Sequence, residues 1–234
     1  MASFVTGGTG FIGRVLVRKL LERGETVHLL CRRTSDLSGL TDEGIRTFYG
    51  DVTDSASLRQ PMRGCEGVYH LAGYARNWAP DPSVYYEINV GGLRNVAEAA
   101  LDCGVRRVVF TSTCLTLGPS REGVAHERTQ RGPEPPLTEY ERTKLLAERE
   151  AAAFAARGLD IVIVNPTRVY GPGKMTEGNS VTRMVQMFME GRWPFVPGNG
   201  EQVGNYAYVD DVAEGHIRAM ERGRAGQRYV LGGQ

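Results

Sequence analysis

Thr6-Gly7-Gly8-Thr9-Gly10-Phe11-Ile12-Gly13 is the stretch on which the fold turns. It follows a short apolar run, Ser3 to Val5, and opens a segment with helical periodicity from Phe11 to Arg23 that ends at Gly24, a C-cap residue. Gly8, Gly10 and Gly13 satisfy GxGxxG, while Gly7, Gly10 and Gly13 form a GxxGxxG series. Glycines early in such a turn let the backbone bend tightly and approach a pyrophosphate. The last one lets the helix lie close to the sheet, with its N-terminal N–H groups pointing at the phosphates. A strand, this turn and a helix begin a βαβ unit, so the spacing predicts a bound dinucleotide.

The rest of the chain repeats the alternation. Strands are expected at Thr26 to Cys31, Ile45 to Tyr49, Gly67 to Leu71, Arg107 to Thr111 and Asp160 to Asn165. Helices are expected at Asp54 to Met62, Ser83 to Cys103 and Thr138 to Arg157. That is the pattern of an α/β fold, a Rossmann-type doubly wound parallel sheet with helices on both faces. After Pro166, Gly and Pro punctuate the stretch from Gly171 to Gly204, with one helical run near Val181 to Glu190. Asn205 to Val209, a helix from Asp210 to Arg222 and a strand at Arg228 to Leu231 complete it. We therefore divide the chain into a nucleotide-binding Rossmann domain at 1–170 and a mixed segment at 171–234. The second part holds some of a small substrate lobe and returning Rossmann elements.

The end of the second strand bears on the choice of nucleotide. An acidic side chain there would accept hydrogen bonds from both ribose hydroxyls, but the sequence reads Cys31-Arg32-Arg33. A guanidinium at Arg32 can grip a 2′-phosphate bidentately, and no carboxylate repels it, so NADP(H) is expected to be preferred over NAD(H). Asp51 and Val52, at the end of the third strand, are placed to contact adenine.

Tyr140 and Lys144 stand four residues apart, on one face of the expected helix and one turn from each other. The chain has only three lysines, Lys19, Lys144 and Lys174, so Lys144 is not one of a surface crowd. An ammonium beside a phenol favours the phenolate, lowering a pKa that is about 10 when free and making the tyrosine a usable acid/base.

Composition narrows the partners. In 234 residues the formal net charge is +1, which provides no global field for nucleic acid or an anionic membrane. No apolar run approaches the roughly 20 residues of a membrane span, and no secretory signal precedes the first strand. Cys31, Cys65, Cys103 and Cys114 show no CxxC spacing and no nearby histidines, so they read as reduced, mostly buried thiols of a cytoplasmic protein without a metal site.

Together with Asp51-Val52, His70-Leu71-Ala72-Gly73, Thr111-Ser112-Thr113, Asn165-Pro166-Thr167-Arg168-Val169-Tyr170-Gly171-Pro172 and Tyr208-Val209-Asp210-Asp211-Val212-Ala213, these motifs run in order along nearly the whole chain. The chain resembles the extended short-chain dehydrogenase/reductase family, also called the NAD-dependent epimerase/dehydratase superfamily. Asn77-Trp78-Ala79-Pro80 and the stretch from Val108 to Gly118 are most similar to its dihydroflavonol reductase-like and hopanoid-associated sugar epimerase-like branch. The resemblance implies that Tyr140 is the proton donor to a carbonyl, and that Lys144 binds the nicotinamide ribose and lowers the tyrosine pKa. Thr113, with Ser112 as its alternative, would hydrogen-bond the substrate oxygen. Asn89 would support the site as a further catalytic residue. Leu71, Ala72, Gly73, Pro166 and Val169 would line the cofactor groove beside Gly7, Gly10, Phe11, Ile12 and Gly13. It also implies a homodimer formed through the two long helices.

Two departures from that family shape the functional expectation. Nucleotide-sugar epimerases place an arginine, which grips the nucleotide diphosphate, ahead of the strand leading into the Val209-Asp210-Asp211 motif. Here that position is Gly204, with Arg168, Arg183 or Arg192 as substitutes, which lowers the expectation of a UDP-sugar substrate and favours a neutral carbonyl compound. The chain also stops at Leu231-Gly232-Gly233-Gln234, where relatives continue, so it is either a short member or lacks a C-terminal portion of the substrate lobe. The leading expectation is an NADPH-dependent reductase acting on a ketone or aldehyde. The alternative is a sugar-nucleotide epimerase or dehydratase, and a cofactor-sensing regulator without catalysis is a third class.

Overall fold

The computed structural model describes the chain except residues 77, 121–122, 177–178, 194, 197 and 234. Asn77 and Gln234, both quoted above, thus lie outside the described residues. The elements run β1 (Ala2–Thr6), α1 (Phe11–Glu22), β2 (Thr26–Cys31), β3 (Ile45–Tyr49), the single-turn α2 (Arg59–Met62), β4 (Gly67–His70), the short α3 (Ser83–Tyr85), α4 (Gly92–Asp102) and β5 (Arg107–Thr111). They continue with α5 (Glu139–Ala156), β6 (Ile161–Pro166), β7 (Arg168–Tyr170), α6 (Ser180–Met189), β8 (Tyr206–Tyr208), α7 (Val209–Arg222) and β9 (Arg228–Leu231).

Seven strands form one parallel sheet in the order β3-β2-β1-β4-β5-β6-β9. The period-2 geometry of a strand explains how it is covered on both faces. Phe4, Val68, Val108, Phe110, Ile161 and Ile163 join the core beneath α4 and α5, with Leu93, Val96, Ala147 and Phe154. Their neighbours Val5, Tyr69, Val109, Val162 and Val164 join the opposite core beneath α1 and α7, with Leu16, Leu20 and Ile217. Each such fully buried aliphatic side chain contributes about 1.5–3 kcal/mol. The strand order reverses between β1 and β4, which opens a crevice at the carboxyl edge of the sheet. β7 and β8 pair as a separate two-stranded parallel sheet.

Several expectations change. The helix expected from Asp54 to Met62 is broken into a 3-10 turn, Ser55–Ser57, and α2. Ser57 Oγ is drawn back to the carbonyls of Asp51 (2.9 Å) and Asp54 (2.8 Å), while Pro61 offers no N–H to continue a longer ladder. The helix expected from Ser83 to Cys103 contains a π-helical stretch, Tyr86–Gly91, between α3 and α4. The Cys65 thiol also has a histidine neighbour after all, with His28 Nδ1 3.2 Å from its sulfur, because β2 and the turn after α2 meet across 37 residues of sequence. All four cysteines are free, and Cys103 and Cys114 are only partly buried. Among the described residues no group of three metal-ligating side chains forms, and no helix is long and apolar enough to cross a membrane.

Candidate active site in the crevice of the sheet

A cleft of about 1310 Å³ opens at the carboxyl ends of β1, β2, β4, β5 and β6. Its floor begins at the glycine turn. Gly7 has φ 72°, and a Cβ there would sit 2.5 Å from the backbone nitrogen of Ala72. At Gly13 a Cβ would come 2.2 Å from the Gly7 carbonyl oxygen. These two contacts let α1 start close against the sheet. No side chain caps its N-terminus at Gly10, so that end of the helix faces the cleft with its dipole and backbone N–H groups, an arrangement that suits a phosphate. The turn therefore fits the pyrophosphate of a dinucleotide on geometry alone.

Of the expected cofactor residues, Gly7, Gly10, Phe11, Ile12, Gly13, Arg32, Leu71, Gly73, Tyr140, Lys144, Pro166 and Val169 line this cleft. Asp51, Val52 and Ala72 do not. The Asp51 carboxylate is turned onto its own loop, accepting from the Thr53 backbone N–H at 3.0 Å and the Thr53 hydroxyl at 2.9 Å. Val52 is 6% exposed and packs in the core, against Gly92. Ala72 contributes its backbone, donating to Thr6 Oγ1 at 3.3 Å. The sequence reading missed Thr6, whose hydroxyl also meets His70 Nδ1 at 2.8 Å and so fixes the exit from β4. Burial, with the neighbouring Lys144 charge, drives His70 down to about 3, so it is a neutral structural imidazole.

The helix α5 delivers the chemistry. Its N-cap is Thr138, whose hydroxyl accepts from the Glu141 N–H at 3.1 Å, while Glu141 reaches back to the Leu137 N–H at 3.0 Å. That start sets the helical phase and turns Tyr140 and Lys144 into the cleft together. Lys144 is 4% exposed, and its Nζ donates to the Thr111 carbonyl at 2.9 Å. Desolvation lowers it to about 8 against the opposing pull of Glu148. Gly73 gives it room, since a Cβ there would lie 3.2 Å from Nζ. Tyr140 is partly exposed in the cleft and hydrogen-bonded to Thr113.

The expected lowering of the Tyr140 pKa is not what the structure holds. Loss of hydration pushes the phenol up to about 12, and the Thr113 hydrogen bond only partly opposes that rise.

Thr113 and Ser112 both line the cleft at the end of β5. Thr113 Oγ1 also accepts from Leu115 N at 3.4 Å, whereas the buried Ser112 Oγ has no hydrogen-bond partner among the described residues. Behind them runs a network that sequence reasoning did not find. Asn165 Nδ2 donates to the Thr113 carbonyl (2.9 Å), the Thr116 hydroxyl (3.0 Å) and Glu148 Oε1 (2.7 Å). Glu148 Oε2 pairs with Arg228 of β9 at 2.9 Å. The only local hint was that Glu148 follows Lys144 by one turn.

Asn89 does not reach the cleft. It is 1% exposed in the π-helical stretch, where its amide donates to Thr143 Oγ1 at 3.0 Å and its Oδ1 accepts from Tyr74 N at 2.8 Å. It ties the loop after β4 to α5, one residue before Lys144. Of the three substitutes for the arginine missing at 204, only Arg168 lines the cleft. Arg183 and Arg192 line a separate depression on α6.

The pattern of the NAD dependent epimerase/dehydratase family matches residues 3–232. The chain belongs to that family. It is thus an NAD(P)-dependent enzyme of the extended short-chain dehydrogenase/reductase type. Among its epimerase/dehydratase relatives is a protein described as sterol demethylase protein B, from Methylococcus capsulatus. It is 37% identical over 235 residues, which cover 100% of this chain and 70% of that protein. A putative dihydroflavonol 4-reductase of Synechocystis is 37% identical over 98% of this chain and 67% of its own length. Among solved structures, the dTDP-glucose 4,6-dehydratase of Streptomyces venezuelae with NAD bound aligns with TM-score 0.88 and 30% identity. That alignment covers 100% of this chain and 76% of the dehydratase. Reductases and dehydratases thus share this epimerase/dehydratase scaffold.

Proposed function

We propose that the protein is an NADPH-dependent reductase that converts a ketone or aldehyde to an alcohol. When bound, the nicotinamide cofactor supplies the hydride. Tyr140 gives its proton to the carbonyl oxygen, and Thr113, bonded to that phenol, orients the same oxygen as negative charge develops on it. Lys144 holds the nicotinamide ribose and places an ammonium beside the reacting end. The observation that carries this reading is geometric: Tyr140, Lys144 and Thr113 line the same cleft as the glycine turn, and the phenol there is protonated near neutrality. Proton donation is what a carbonyl reduction asks of it.

NADP(H) is the proposed cofactor. Arg32 lines the cleft where β2 ends, and the carboxylate of that loop, Asp36, is engaged by Lys174 and by Arg14, 3.7 Å away. The similarity to a dihydroflavonol 4-reductase supports the reductive direction. A cytoplasmic setting, with four free thiols, and a homodimer through α4 and α5 belong to the same proposal. The second reading, a sugar-nucleotide epimerase or dehydratase, draws support from the likeness to the Streptomyces dehydratase.

The two separate by stoichiometry. A reductase consumes one NADPH per carbonyl reduced and is isolated largely free of nucleotide. An epimerase retains NAD and shows no net oxidation, and that result would replace the reductase reading. A panel of carbonyls and sugar nucleotides assayed with reduced and oxidised cofactors makes the comparison.

A further inference from the structure

Strand β6 carries one polar side chain at the end of an apolar run. Ile161, Val162, Ile163 and Val164 are buried hydrocarbon, and Asn165 follows them with its amide fully buried. Facing it from α5 is Glu148, 4% exposed, a carboxylate withdrawn from water. Taking an amide and an ion into a core is unfavourable unless hydrogen bonds replace their hydration. Apolar side chains at both positions would avoid that penalty, so the pair needs a reason beyond packing.

The contacts of the pair converge on Thr113. Asn165 Nδ2 donates to the Thr113 carbonyl at 2.9 Å and to Glu148 Oε1 at 2.7 Å. Thr116, in the 3-10 turn Cys114–Leu117, lies 3.0 Å from the same nitrogen. Its hydroxyl is 2.8 Å from the Thr113 carbonyl and 2.8 Å from Glu148 Oε1. Reversing the amide would turn its oxygen onto a carbonyl and a carboxylate, so these neighbours fix which end donates. On its far side Glu148 pairs with Arg228 at 2.9 Å, which ties the network to the edge strand β9.

The Thr113 hydroxyl needs such support. Apart from Tyr140, its one hydrogen bond among the described residues is a long one, 3.4 Å from Leu115 N. A short side chain held that weakly is placed by its backbone. The sheet holds the preceding peptide, since Ser112 N donates to the Val164 carbonyl at 2.7 Å. Asn165 and Thr116 hold the following one through the Thr113 carbonyl. A buried polar network with its donors matched to acceptors is rigid, which suits it to that task.

We propose that Asn165, braced by Glu148 and Thr116, is the positioning residue that aims the Thr113 hydroxyl at Tyr140 and at the substrate oxygen. The inference rests on the reductase reading for its last step and deepens it with a residue that does not itself line the cleft. Asn165→Leu keeps much of the volume and removes the donors, Thr116→Val is the milder companion, and Thr113→Val is the reference. The phenolic carbon of Tyr140, read by NMR at neutral pH in the cofactor-free protein, reports the Thr113 hydrogen bond without turnover. Its resonance should move in Asn165→Leu in the same direction as in Thr113→Val, and by less in Thr116→Val. In NADPH-dependent reduction of cyclohexanone, benzaldehyde and ethyl acetoacetate, Asn165→Leu should lower kcat about tenfold with KM for NADPH within about twofold. In a Thr113→Val background the same substitution should change kcat by less than about twofold, because the two act through one hydroxyl.

An unmoved Tyr140 resonance in both variants, with NADPH affinity retained, overturns the proposal. So does a loss of kcat that persists in full in the Thr113→Val background, since Asn165 would then act elsewhere. If Asn165→Leu fails to fold, Thr116→Val carries both readouts alone. A moved resonance with none of the three carbonyls reduced keeps the positioning of Thr113 and removes the reductase.

Discussion

The two sides of the cleft are built differently. On the cofactor side, Gly7 and Gly13 touch backbone atoms, β1 is almost wholly buried, and the exit of β4 is pinned by Thr6 and His70. On the substrate side, α6 buries none of its residues, and Phe188, Met189 and Val203 stand largely exposed. Arg168 leans on an exposed Tyr206 rather than on a packed core. The first side is specified by backbone packed against backbone and by buried polar contacts, the second by exposed side chains on loops. On the proposed function, reaction chemistry belongs to the first side and substrate choice to the second.

If that division is right, substitutions should sort by side. Tyr140→Phe should have the largest effect, lowering kcat roughly 10³-fold for loss of the general acid while cofactor affinity stays within about threefold. Single-turnover kinetics and a fluorescence titration with NADPH separate the two quantities. Gly13→Ala comes next. Its methyl would meet the Gly7 carbonyl, a backbone atom that cannot move aside cheaply, and about 2–3 kcal/mol of stability should be lost in a urea melt. Arg32→Ala should reduce the preference for NADPH over NADH about tenfold, or about 1.4 kcal/mol, by comparison of kcat/KM for the two cofactors.

The pH dependence sharpens the same contrast. Lys144, lowered to about 8, keeps its ammonium below that pH and loses it above, so kcat/KM for reduction should fall as pH rises through about 8. Glu148→Gln removes the charge that supports the ammonium, and the limb should move to lower pH. On the substrate side, Phe188→Ser should change stability by less than about 0.5 kcal/mol, because that ring is 71% exposed. A large loss there would show that α6 is packed more firmly than its exposure indicates.

The legibility of the sequence follows the same line. The eight residues from Thr6 to Gly13 predicted the turn, its helix and the parallel sheet, because those signals are local and periodic. Tyr140 and Lys144 were visible for the same reason, one helical turn apart. What escaped was set by contacts across the chain. Asn89 looked catalytic but is buried between Tyr74 and Thr143, 15 and 54 residues away. The Asn165–Glu148–Arg228 network joins β6, α5 and β9, and no spacing announces it. The Tyr140 pKa was read from the neighbouring lysine alone, whereas desolvation, a property of the whole fold, decided its direction.

The account depends most on Tyr140 being held as an acid. Titration of its phenolic carbon by NMR in the cofactor-free protein, with Tyr140→Phe assigning the signal, measures that directly. The phenol should still be protonated at about pH 10, where a free tyrosine is half-ionised, and should give way only near 12. Half-ionisation below about 10 would contradict the account, because the neighbouring charge would then have outweighed burial.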